Sequence, residues 1–461
     1  MFKTIKNIHF VGIGGSGMSG IAEVLLTLGY RVSGSDMKES DVTDRLTQLG
    51  AKIYYGHKDT NVGDAQVVVT STAVKADNPE VRFARKKKIP VIPRIEMLAE
   101  IARLKYTIAV AGTHGKTTTT SMAAAILQEA GWDPTFIIGG KVKHLGGGAK
   151  LGNGEFLVAE ADESDGSFLK LSPAFGIITN IDNDHLDYHQ NIKNLRAAFV
   201  QFANRVPFYG CVIVCRDDPG VRAILPSLTR RVVTYGFRHG VDYSAEEMHQ
   251  YSEGTWYTLM HRGVKVGQVT LNLPGKHNIL DSLAACALAL ELGIPFEPIR
   301  KALAKFESVG RRLEKRGEKN GAIWMDDYGH HPTEIRAVLQ ALRERFPHKN
   351  LVVLFQPHRF SRTKLLWREF GSCFKGADHV LMLPIYPAGE SPIRGVDSKK
   401  LVANIKRHGV SAAFQNGTGE DLAKHVRADT VFLTMGAGDV WKFGEKIFKQ
   451  SAAFTRPSTS G

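Results

Sequence analysis

The sequence of 461 residues is poor in cysteine and contains no long apolar run. No stretch approaches the roughly 18 apolar residues that a membrane-spanning helix requires, so we expect no membrane insertion. The apolar segment near the N-terminus stops at a glycine-rich loop, which favours a first strand over a signal peptide. The cysteines have no histidine or second cysteine pair at zinc-binding spacing, so we interpret them as buried free thiols of a cytoplasmic protein. They are Cys211, Cys215, Cys286 and Cys373.

Acidic residues are outnumbered, because 46 aspartates and glutamates face 60 lysines and arginines and give a formal net charge of +14. A basic chain can bind nucleic acid, acidic lipid or a polyanionic small molecule. The basic residues are scattered, however, and the one dense run, Arg85-Lys-Lys-Lys88, is more typical of a solvated helix face. We therefore expect no nucleic-acid partner.

Short β-branched runs alternate with amphipathic helical stretches along most of the chain. This alternation favours parallel sheets with crossover helices. We predict an α/β fold of three consecutive domains: an N-terminal Rossmann-like domain over residues 1–104, a central P-loop ATPase-type domain over 105–308 and a C-terminal Rossmann-like domain over 309–450. The central domain includes a predicted long helix over 279–292. The small, polar tail 451–461 is predicted to be flexible.

A glycine loop follows the apolar strand Tyr106-Thr-Ile-Ala-Val110 and opens a helix, which is the context of a phosphate-binding loop. Glycines let backbone N–H groups turn toward phosphate oxygens, and the helix N-terminus adds a favourable dipole. Lys116 can neutralise the β- and γ-phosphates of ATP, and the Thr117 hydroxyl can bind Mg²⁺. The standard pattern has a glycine at the position of Val110, so an ordinary strand-to-helix turn is the alternative. The loop consists of Gly112, Thr113, His114, Gly115, Lys116, Thr117 and Thr118.

Two candidate metal ligands follow later strands of the same segment. Glu160 opens the motif Glu160-Ala-Asp-Glu-Ser-Asp165, and His185 lies just beyond a predicted strand over 176–179. Because ligands gather at the carboxyl ends of parallel strands, we expect Lys116, Glu160 and His185 to converge on one crevice. Mg²⁺ prefers hard oxygen ligands, so Glu160 is the stronger candidate, and His185 could equally be structural.

The first segment contains another glycine loop, Gly12-Ile-Gly14-Gly15-Ser-Gly17, between a strand and a helix. Asp36 follows about twenty residues later, where a ribose-binding carboxylate belongs. The pattern predicts binding of a pyrophosphate-bearing nucleotide but does not separate NAD, FAD and a UDP-sugar. Alone it favours a nicotinamide dehydrogenase. A simple dehydrogenase has no use for a separate ATP loop, however, and the presence of that loop favours another chemistry.

With both loops present, the chain from Met1 to about Gly444 resembles the Mur ligases of peptidoglycan assembly. The ordered set of motifs is highly specific, although any single one could arise by chance. The motifs are His9–Met18, Gly112–Thr118, Glu160–Asp165, Asp184–Asp187, Gly275–Asn278, Gly310–Arg312, Asp326–Thr333 and Phe355–Arg362.

The resemblance implies an ATP-dependent ligase of the bacterial cytoplasm, with ATP and Mg²⁺ as cofactors. It would activate the carboxylate of UDP-N-acetylmuramate as an acyl phosphate and couple it to L-alanine. The motifs Glu160–Asp165 and Gly329–Pro332 look more like alanine-adding members than like members that attach a recycled tripeptide to the same UDP-sugar, which is the alternative. A basic nucleic-acid-binding NTPase is a further alternative, but the sequence lacks a clustered basic and aromatic surface. We expect a monomer or a weak homodimer.

The resemblance also implies roles for individual residues. The residues expected to bind the UDP-sugar are Gly12, Gly14, Gly15, Ser16, Gly17, Asp36, His57 and Ser71. ATP would be bound by the loop Gly112–Thr118 together with His277, Asn278, Arg312 and Asp327. The expected metal ligands are Thr117, Glu160 and His185. The amino acid would be framed by Tyr328, His330, Arg359 and Arg362. The expected catalytic residues are Lys116, Glu160, His185, His330 and Arg312.

Two departures from the family pattern stand out. Asp281 stands where the family often has asparagine, so the mode of adenine recognition is open. Several Mur ligases carry a carbamoylated lysine after the metal histidine, but the matching region 195–200 has no lysine. We expect no carbamate there. In the C-terminal segment, the turn Gly436-Ala-Gly-Asp439 could be a binding edge or simply a tight turn.

Overall fold

The structure, a computed structural model, describes residues 4–71, 73–142, 145–251, 254–416 and 422–450. The tail that was predicted to be flexible, 451–461, lies outside these residues. Three sheets of mainly parallel strands with connecting helices make up the fold, so the predicted α/β class is confirmed. No helix in the described part of the chain is both long and apolar enough to cross a bilayer.

The chain forms two compact units. The first consists of Met1–Glu247, Tyr257–Val269 and Leu280–Glu307, and it contains both glycine loops. The second consists of Met248–Trp256, Thr270–Ile279 and Ser308–Gly461.

The first sheet has five parallel strands in the order β3-β2-β1-β4-β5. Its strands are β1 Asn7–Val11, β2 Arg31–Asp36, β3 Lys52–Tyr55, β4 Val67–Thr70 and β5 Val91–Pro93. Its helices are α1 Ser16–Thr27, α2 Asp41–Gln48, α3 Pro79–Lys86 and α4 Arg94–Ala102, and a short 3₁₀ turn spans Asp59–Val62. Local signals set some of these limits, since Ser40 forms a capping box at the start of α2 and Asn78 caps α3 directly before a proline.

The second sheet has ten strands in the order β15-β14-β13-β12-β11-β10-β6-β9-β7-β8. Its strands are β6 Tyr106–Ala111, β7 Thr135–Val142, β8 Gly147–Lys150, β9 Phe156–Glu160, β10 Phe175–Ile178, β11 Cys211–Cys215, β12 Val232–Gly236, β13 Tyr243–Tyr251, β14 Gly254–His261 and β15 Val264–Leu271. The helices of this part of the chain are α5 Lys116–Glu129, α6 Leu186–His189, α7 Ile192–Ala203, α8 Pro219–Ile224, α9 Lys276–Glu291 and α10 Phe296–Ala304, with 3₁₀ turns at Ser167–Lys170 and Leu225–Ser227. The central strands β6, β9, β10 and β11 are parallel and apolar along nearly their whole length, which is typical of strands covered on both faces.

The third sheet has six strands in the order β16-β17-β21-β18-β19-β20, and β16 alone is antiparallel to its neighbour. Its strands are β16 Glu314–Lys319, β17 Ala322–Asp327, β18 Asn350–Phe355, β19 His379–Met382, β20 Ala412–Phe414 and β21 Thr430–Met435. The helices that follow them are α11 Pro332–Arg345, α12 Phe360–Leu365, α13 Trp367–Ser372, α14 Ser398–Arg407 and α15 Val440–Gln450.

One hydrophobic core runs continuously through the first unit. It joins buried residues of the first sheet, such as Phe10, to residues of the second sheet, such as Leu157. Helix α1 packs on β7 and β8, where Gly20 permits a close approach: a Cβ added there would lie 3.1 Å from the Cβ of Ala149. The two sheets that carry the glycine loops are therefore packed together as one body.

All four cysteines are buried and free, as predicted. Burial raises the pKa of the Cys211 and Cys215 thiols to about 12. Because the thiolate is the reactive form, these side chains act as small apolar residues of the core.

Candidate active site

The first glycine loop connects β1 to α1. Gly12 has a φ of 78°, a left-handed conformation that favours glycine. Helix α1 begins directly after Gly15 without a side-chain cap, so its first N–H groups lack a side-chain acceptor. A bound phosphate would supply acceptors at this position. Ser16 is the first residue of the helix, and its side chain lies outside the part of the structure that is described.

Three other residues predicted for this site lie at the carboxyl edge of the first sheet. Asp36 ends β2, His57 follows β3 and Ser71 follows β4. The Asp36 carboxylate accepts hydrogen bonds from the backbone N–H groups of Gly14, at 2.9 Å, and Met37, at 2.7 Å. Asp36 therefore holds the glycine loop in place, a contact that was not anticipated from the sequence.

The second glycine loop connects β6 to α5, and the segment after β10 braces it. The backbone N–H of Thr113 donates to the Asn180 carbonyl at 3.1 Å, and that of His114 donates to the Asn180 side-chain oxygen at 2.8 Å. Gly112 has a φ of 134°, and a Cβ added there would lie 2.0 Å from the Thr179 hydroxyl oxygen. Glycine is thus required by both conformation and space.

Lys116 is the first residue of α5, and its ammonium group turns back toward the loop. Its Nζ lies 2.5 Å from the Gly112 carbonyl oxygen and 2.9 Å from Oε2 of Glu163, which is fully buried. Burial opposes the lysine charge, but the carboxylates of Glu163 and Asp162 outweigh it and raise the pKa of Lys116. The lysine is therefore a preorganised cation at the position where the γ-phosphate of ATP is expected.

Glu160 lies at the end of β9, as predicted. Its carboxylate accepts the backbone N–H of Gly139 at 2.7 Å, and the Thr117 side chain also hydrogen bonds to it. Burial nevertheless raises its pKa above the usual range. A carboxylate with so few donors next to a threonine hydroxyl is a set of hard oxygen atoms, which fits Mg²⁺.

His185 is held by the turn between β10 and α6, where it has a φ of 55°. Its Nε2 lies 3.9 Å from Oε1 of Glu163 and 3.7 Å from Oδ2 of Asp184. Glu163 therefore lies between Lys116 and His185, two of the residues that were expected to converge. Glu163 was missed as a separate site residue, although it belongs to the motif that Glu160 opens.

Arg94 lies between the two glycine loops. A Cβ added to Gly17 would lie 2.1 Å from Nη1 of Arg94, so the guanidinium packs directly on the first loop. Its Nη2 donates to Asp162 at 2.9 Å. Burial opposes ionisation of Asp162, but the charges of Lys116 and Arg94 lower its pKa to about 2. A chain of alternating charges therefore links the first loop to the lysine of the second within one unit.

Asp281 lies against the second glycine loop. It is buried in α9 and accepts a hydrogen bond from the Thr119 hydroxyl at 3.1 Å. A Cβ added to Gly115 would lie 2.4 Å from Oδ1 of Asp281. The family departure at Asp281 therefore falls next to the phosphate loop, so its carboxylate braces this loop.

The remaining predicted nucleotide residues belong to the second unit. Burial and the neighbouring charge of Arg312 lower the pKa of His277 to about 4. Asn278 donates to the Pro274 carbonyl at 2.7 Å and so is held at the start of α9. Burial raises the pKa of Asp327 to about 6, although Arg312 and two backbone N–H groups oppose the shift. Arg312 thus lies close to both His277 and Asp327.

The predicted amino-acid residues also belong to the second unit. The rings of Tyr328 and His330 meet edge to face, with centroids 5.6 Å apart, and the His358 ring is 5.8 Å from that of His330. Arg362 is buried, with Nη1 3.3 Å from Nδ1 of His358. Arg359 has a φ of 70°, and its backbone N–H donates to the Tyr386 carbonyl at 2.9 Å. His358 therefore links predicted residues from two different loops.

The turn at Gly436–Asp439 is held by side chains that surround it. Arg311 donates to the carbonyl oxygens of Gly436, at 2.6 Å, and Gly438, at 3.1 Å. Gln356 donates to the Asp439 carboxylate at 3.2 Å. These contacts hold the turn in place, and whether it is also a binding edge stays an open alternative.

Three family models match nearly the whole chain in consecutive order. The Mur ligase family catalytic domain matches residues 7–106, the Mur ligase middle domain matches 110–289, and the Mur ligase glutamate ligase domain matches 311–438. The chain belongs to the Mur ligase family. This result also confirms the predicted arrangement of three consecutive α/β domains.

Curated relatives of this Mur ligase align with it from end to end. The UDP-N-acetylmuramate–L-alanine ligase of Geobacter sulfurreducens is 52% identical over 96% of this chain and 97% of its own length. The protein of the same name from Syntrophotalea carbinolica is 52% identical over 97% and 98%.

Solved structures show the same fold. A UDP-N-acetylmuramate–alanine ligase from Thermotoga maritima is similar with a TM-score of 0.83 and 32% identity, covering 97% of this chain and 99% of that one. A murein peptide ligase from Psychrobacter arcticus has a TM-score of 0.73 at 23% identity, covering 98% of this chain and 100% of its own, and this likeness concerns the fold alone.

Proposed function

We propose that this Mur ligase uses ATP to join L-alanine to the carboxylate of UDP-N-acetylmuramate, with release of ADP and phosphate. The observation that carries the proposal is the position of Arg94. It packs on the first glycine loop and pairs with Asp162, whose charge in turn acts on Lys116 of the second loop. A UDP-sugar on the first loop and ATP on the second would therefore share one charged region, as transfer of phosphate to the sugar carboxylate requires.

The first step is transfer of the γ-phosphoryl group to the sugar carboxylate. A carboxylate does not condense with an amine at a useful rate because hydroxide is a poor leaving group. Attack of a carboxylate oxygen on the γ-phosphorus forms a new O–P bond and breaks the bond to ADP, which leaves an acyl phosphate. Lys116 would offset the negative charge on the phosphoryl group, and Arg94 would act at the pyrophosphate of the UDP-sugar.

Thr117, Glu160 and His185 are the residues that would hold Mg²⁺. When bound, the ion would neutralise phosphate charge and align the triphosphate. The partly buried Glu160 carboxylate and the Thr117 hydroxyl fit this ion, because both present oxygen atoms to one place. The loop residues Gly112–Thr118 would supply backbone donors to the phosphates. His277, Asn278, Arg312 and Asp327 would bind the rest of ATP.

The second step is attack of the alanine amine on the acyl carbon. A tetrahedral intermediate forms and expels phosphate, and the amide product remains once the ammonium proton is lost. Arg359 and Arg362 would bind the alanine carboxylate, for which the planar guanidinium is well suited. His330 would accept the proton. Its Nδ1 lies 3.1 Å from the Tyr328 carbonyl oxygen, and this contact would orient the ring.

The pyrophosphate of the UDP-sugar would bind to the first loop, at Gly12, Gly14, Gly15, Ser16 and Gly17. The nucleoside part of the pocket would be lined by Asp36, His57 and Ser71.

We also propose the cytoplasm as the location, domain limits near residues 104 and 308, and a monomer or weak homodimer.

Phosphate release with UDP-N-acetylmuramate, ATP and Mg²⁺ tests this proposal, with each amino acid supplied in turn. We expect release to depend on all components and to be fastest with L-alanine. The tripeptide L-alanyl-γ-D-glutamyl-meso-diaminopimelate is the comparison substrate. Faster release with the tripeptide would assign the chain to the recycling reaction, and release that does not require the UDP-sugar would refute both assignments.

A further inference from the structure

A buried carboxylate, Glu80, lies next to His57. Glu80 belongs to α3 and accepts hydrogen bonds from the Ser35 hydroxyl and the Asn61 amide, each at 2.6 Å. The backbone N–H of Lys58 donates to the same oxygen as Asn61, at 3.3 Å. Burial opposes ionisation, but His9, whose Nε2 lies 3.5 Å from Oε2, and the Ser35 and Asn61 donors lower the pKa of Glu80 to about 2. Glu80 is therefore ionised at neutral pH and can only accept hydrogen bonds.

This acceptor fixes the direction of the hydrogen bonds around it. Ser35 has one hydroxyl proton, which it donates to Oε2 of Glu80. The Ser35 oxygen must then accept from its other partner, Nδ1 of His57, at 3.0 Å. Nδ1 also lies 3.5 Å from Oε2 of Glu80, which has no proton to donate. A neutral His57 ring therefore carries its proton on Nδ1, and Nε2 presents a lone pair.

The lone pair on Nε2 is free to meet a ligand. The hydrogen bond and ion pair that His57 makes to other described residues run through Nδ1, and its side chain is 21% exposed. His57 follows β3 at the carboxyl edge of the first sheet, where the glycine loop of the first site also lies.

We infer that Glu80, acting through Ser35 and His57, makes the first site select uracil over cytosine. Uracil presents an imide N–H to an acceptor, whereas cytosine has a lone pair on the corresponding ring nitrogen. Nε2 accepts a hydrogen bond from uracil but faces a second acceptor in cytosine, which weakens binding by about 10-fold to 100-fold. The inference rests on the proposed function, because it places the uridine half of the UDP-sugar at this edge. Glu80 and Ser35 are positioning residues, and His57 touches the base.

The hydrogen bonds that run from Glu80 through Ser35 to His57 form a relay. The substitution Glu80→Gln tests the direction of these hydrogen bonds. Asn61 and the Lys58 N–H both donate to Oε1, so the carbonyl oxygen of the new amide takes that position and its NH₂ group faces Ser35. Ser35 then accepts from the amide and donates to Nδ1 of His57. The proton of the ring moves to Nε2, which becomes a donor that suits cytosine. A role in stability alone would not change the preference between bases.

Calorimetric affinities for UDP and CDP at about pH 8, where a free imidazole is neutral, measure the effect. We expect the wild type to bind UDP at least about 10-fold more tightly than CDP and Glu80→Gln to reverse the ratio. Asp59→Asn is the matched control, since this exposed carboxylate lies two residues from His57 and the ratio should be unchanged.

Two results would overturn the inference. In the first, Glu80→Gln weakens UDP and CDP equally; in the second, the wild type binds both alike, as it would if Nε2 met a ribose hydroxyl. If neither UDP nor UDP-N-acetylmuramate binds the wild type, the proposed function fails as well. Long-range ¹H–¹⁵N spectra of the ligand-free protein give an independent reading. The His57 signals, assigned with His57→Gln, should show the Nδ1–H form in the wild type and the Nε2–H form in Glu80→Gln, and the Nε2–H form in the wild type would refute the relay.

Discussion

Glu80 and Glu160 are glutamates at the two proposed nucleotide sites, Glu80 at the first and Glu160 at the second, but their surroundings differ. Glu80 accepts hydrogen bonds from a hydroxyl, an amide and a backbone N–H, and His9 together with the hydroxyl and the amide lowers its pKa to about 2. Glu160 receives one backbone N–H and a threonine hydroxyl, and burial raises its pKa. The first carboxylate is satisfied by the protein itself, whereas the second would gain most from the Mg²⁺ ion that we propose to bind there. A carboxylate at a binding site can therefore bind groups of the protein itself or bind a ligand, and the number of hydrogen-bond donors around it distinguishes these two roles.

The largest expected effect separates the two sites. Lys116→Ala removes the cation of the second loop and should lower phosphate release by at least about 10³-fold. The affinity for UDP-N-acetylmuramate, measured by calorimetry, should change by less than about threefold because the first loop is intact. Lys170→Ala removes an exposed lysine and serves as the control. Loss of UDP-sugar binding in Lys116→Ala would show that the two sites are not separable.

The next prediction compares the two glutamates directly. Glu160→Gln should lower phosphate release by about 100-fold or more, with little loss of stability, because burial already disfavours its charge. Glu80→Gln should largely keep kcat and lose stability, because it replaces the acceptor of several buried donors. Steady-state kinetics and urea unfolding of both variants measure this contrast. Equal losses of stability would mean that Glu160 also serves the scaffold.

Acid should reveal the stabilising role of Glu80. Its folded-state pKa of about 2 is below the ordinary value of 4.5. The contribution of ionised Glu80 to the free energy of unfolding is therefore fully present above about pH 4.5 and is lost as the pH falls toward 2. The shift corresponds to roughly 3 kcal/mol at most. The difference in unfolding free energy between wild type and Glu80→Gln should shrink by about 2 kcal/mol between pH 7 and pH 3, because the remainder is lost only as the pH falls to 2 and below. A difference that stays constant with pH would contradict the assigned ionisation.

The smallest effect concerns Asp281, which braces the second glycine loop as Asp36 braces the first. Asp281→Asn keeps an oxygen that can accept from Thr119, so KM for ATP should stay within about threefold. Asp281→Ala loses that acceptor and should raise KM for ATP by about fivefold to tenfold, with the affinity for UDP unchanged. If the asparagine variant is as impaired as the alanine variant, the loop requires the charge of Asp281 as well as its shape.

The sequence was sufficient to predict the structural elements that have strong local signals. Both glycine loops and the strands before them follow from apolar runs ending in glycine, and the edge at which Glu160 and His185 lie follows from apolar runs that end in polar residues. Strand β16 was not predicted, because Glu-Lys-Arg-Gly-Glu-Lys is charged and pairs only as an antiparallel edge. The helix predicted over 279–292 begins earlier, at Lys276.

The partners of the site residues were harder to predict. The pairing of Lys116 with Glu163 spans 47 residues of sequence, and the contact of Thr119 with Asp281 spans 162. Such contacts depend on how helices pack on a sheet, which no local pattern encodes. The motif around Glu160 gave the only signal, since Glu163 lies within it.

The continuous core of the first unit has a practical consequence for measurements of ligand binding. Because Phe10 and Leu157 belong to the same buried cluster, the two sheets that carry the glycine loops should melt in a single cooperative transition. A ligand that binds either loop would raise that one melting temperature by mass action. A thermal-shift screen would therefore detect compounds for both sites without telling them apart, and competition with UDP or ATP would be needed to sort the hits.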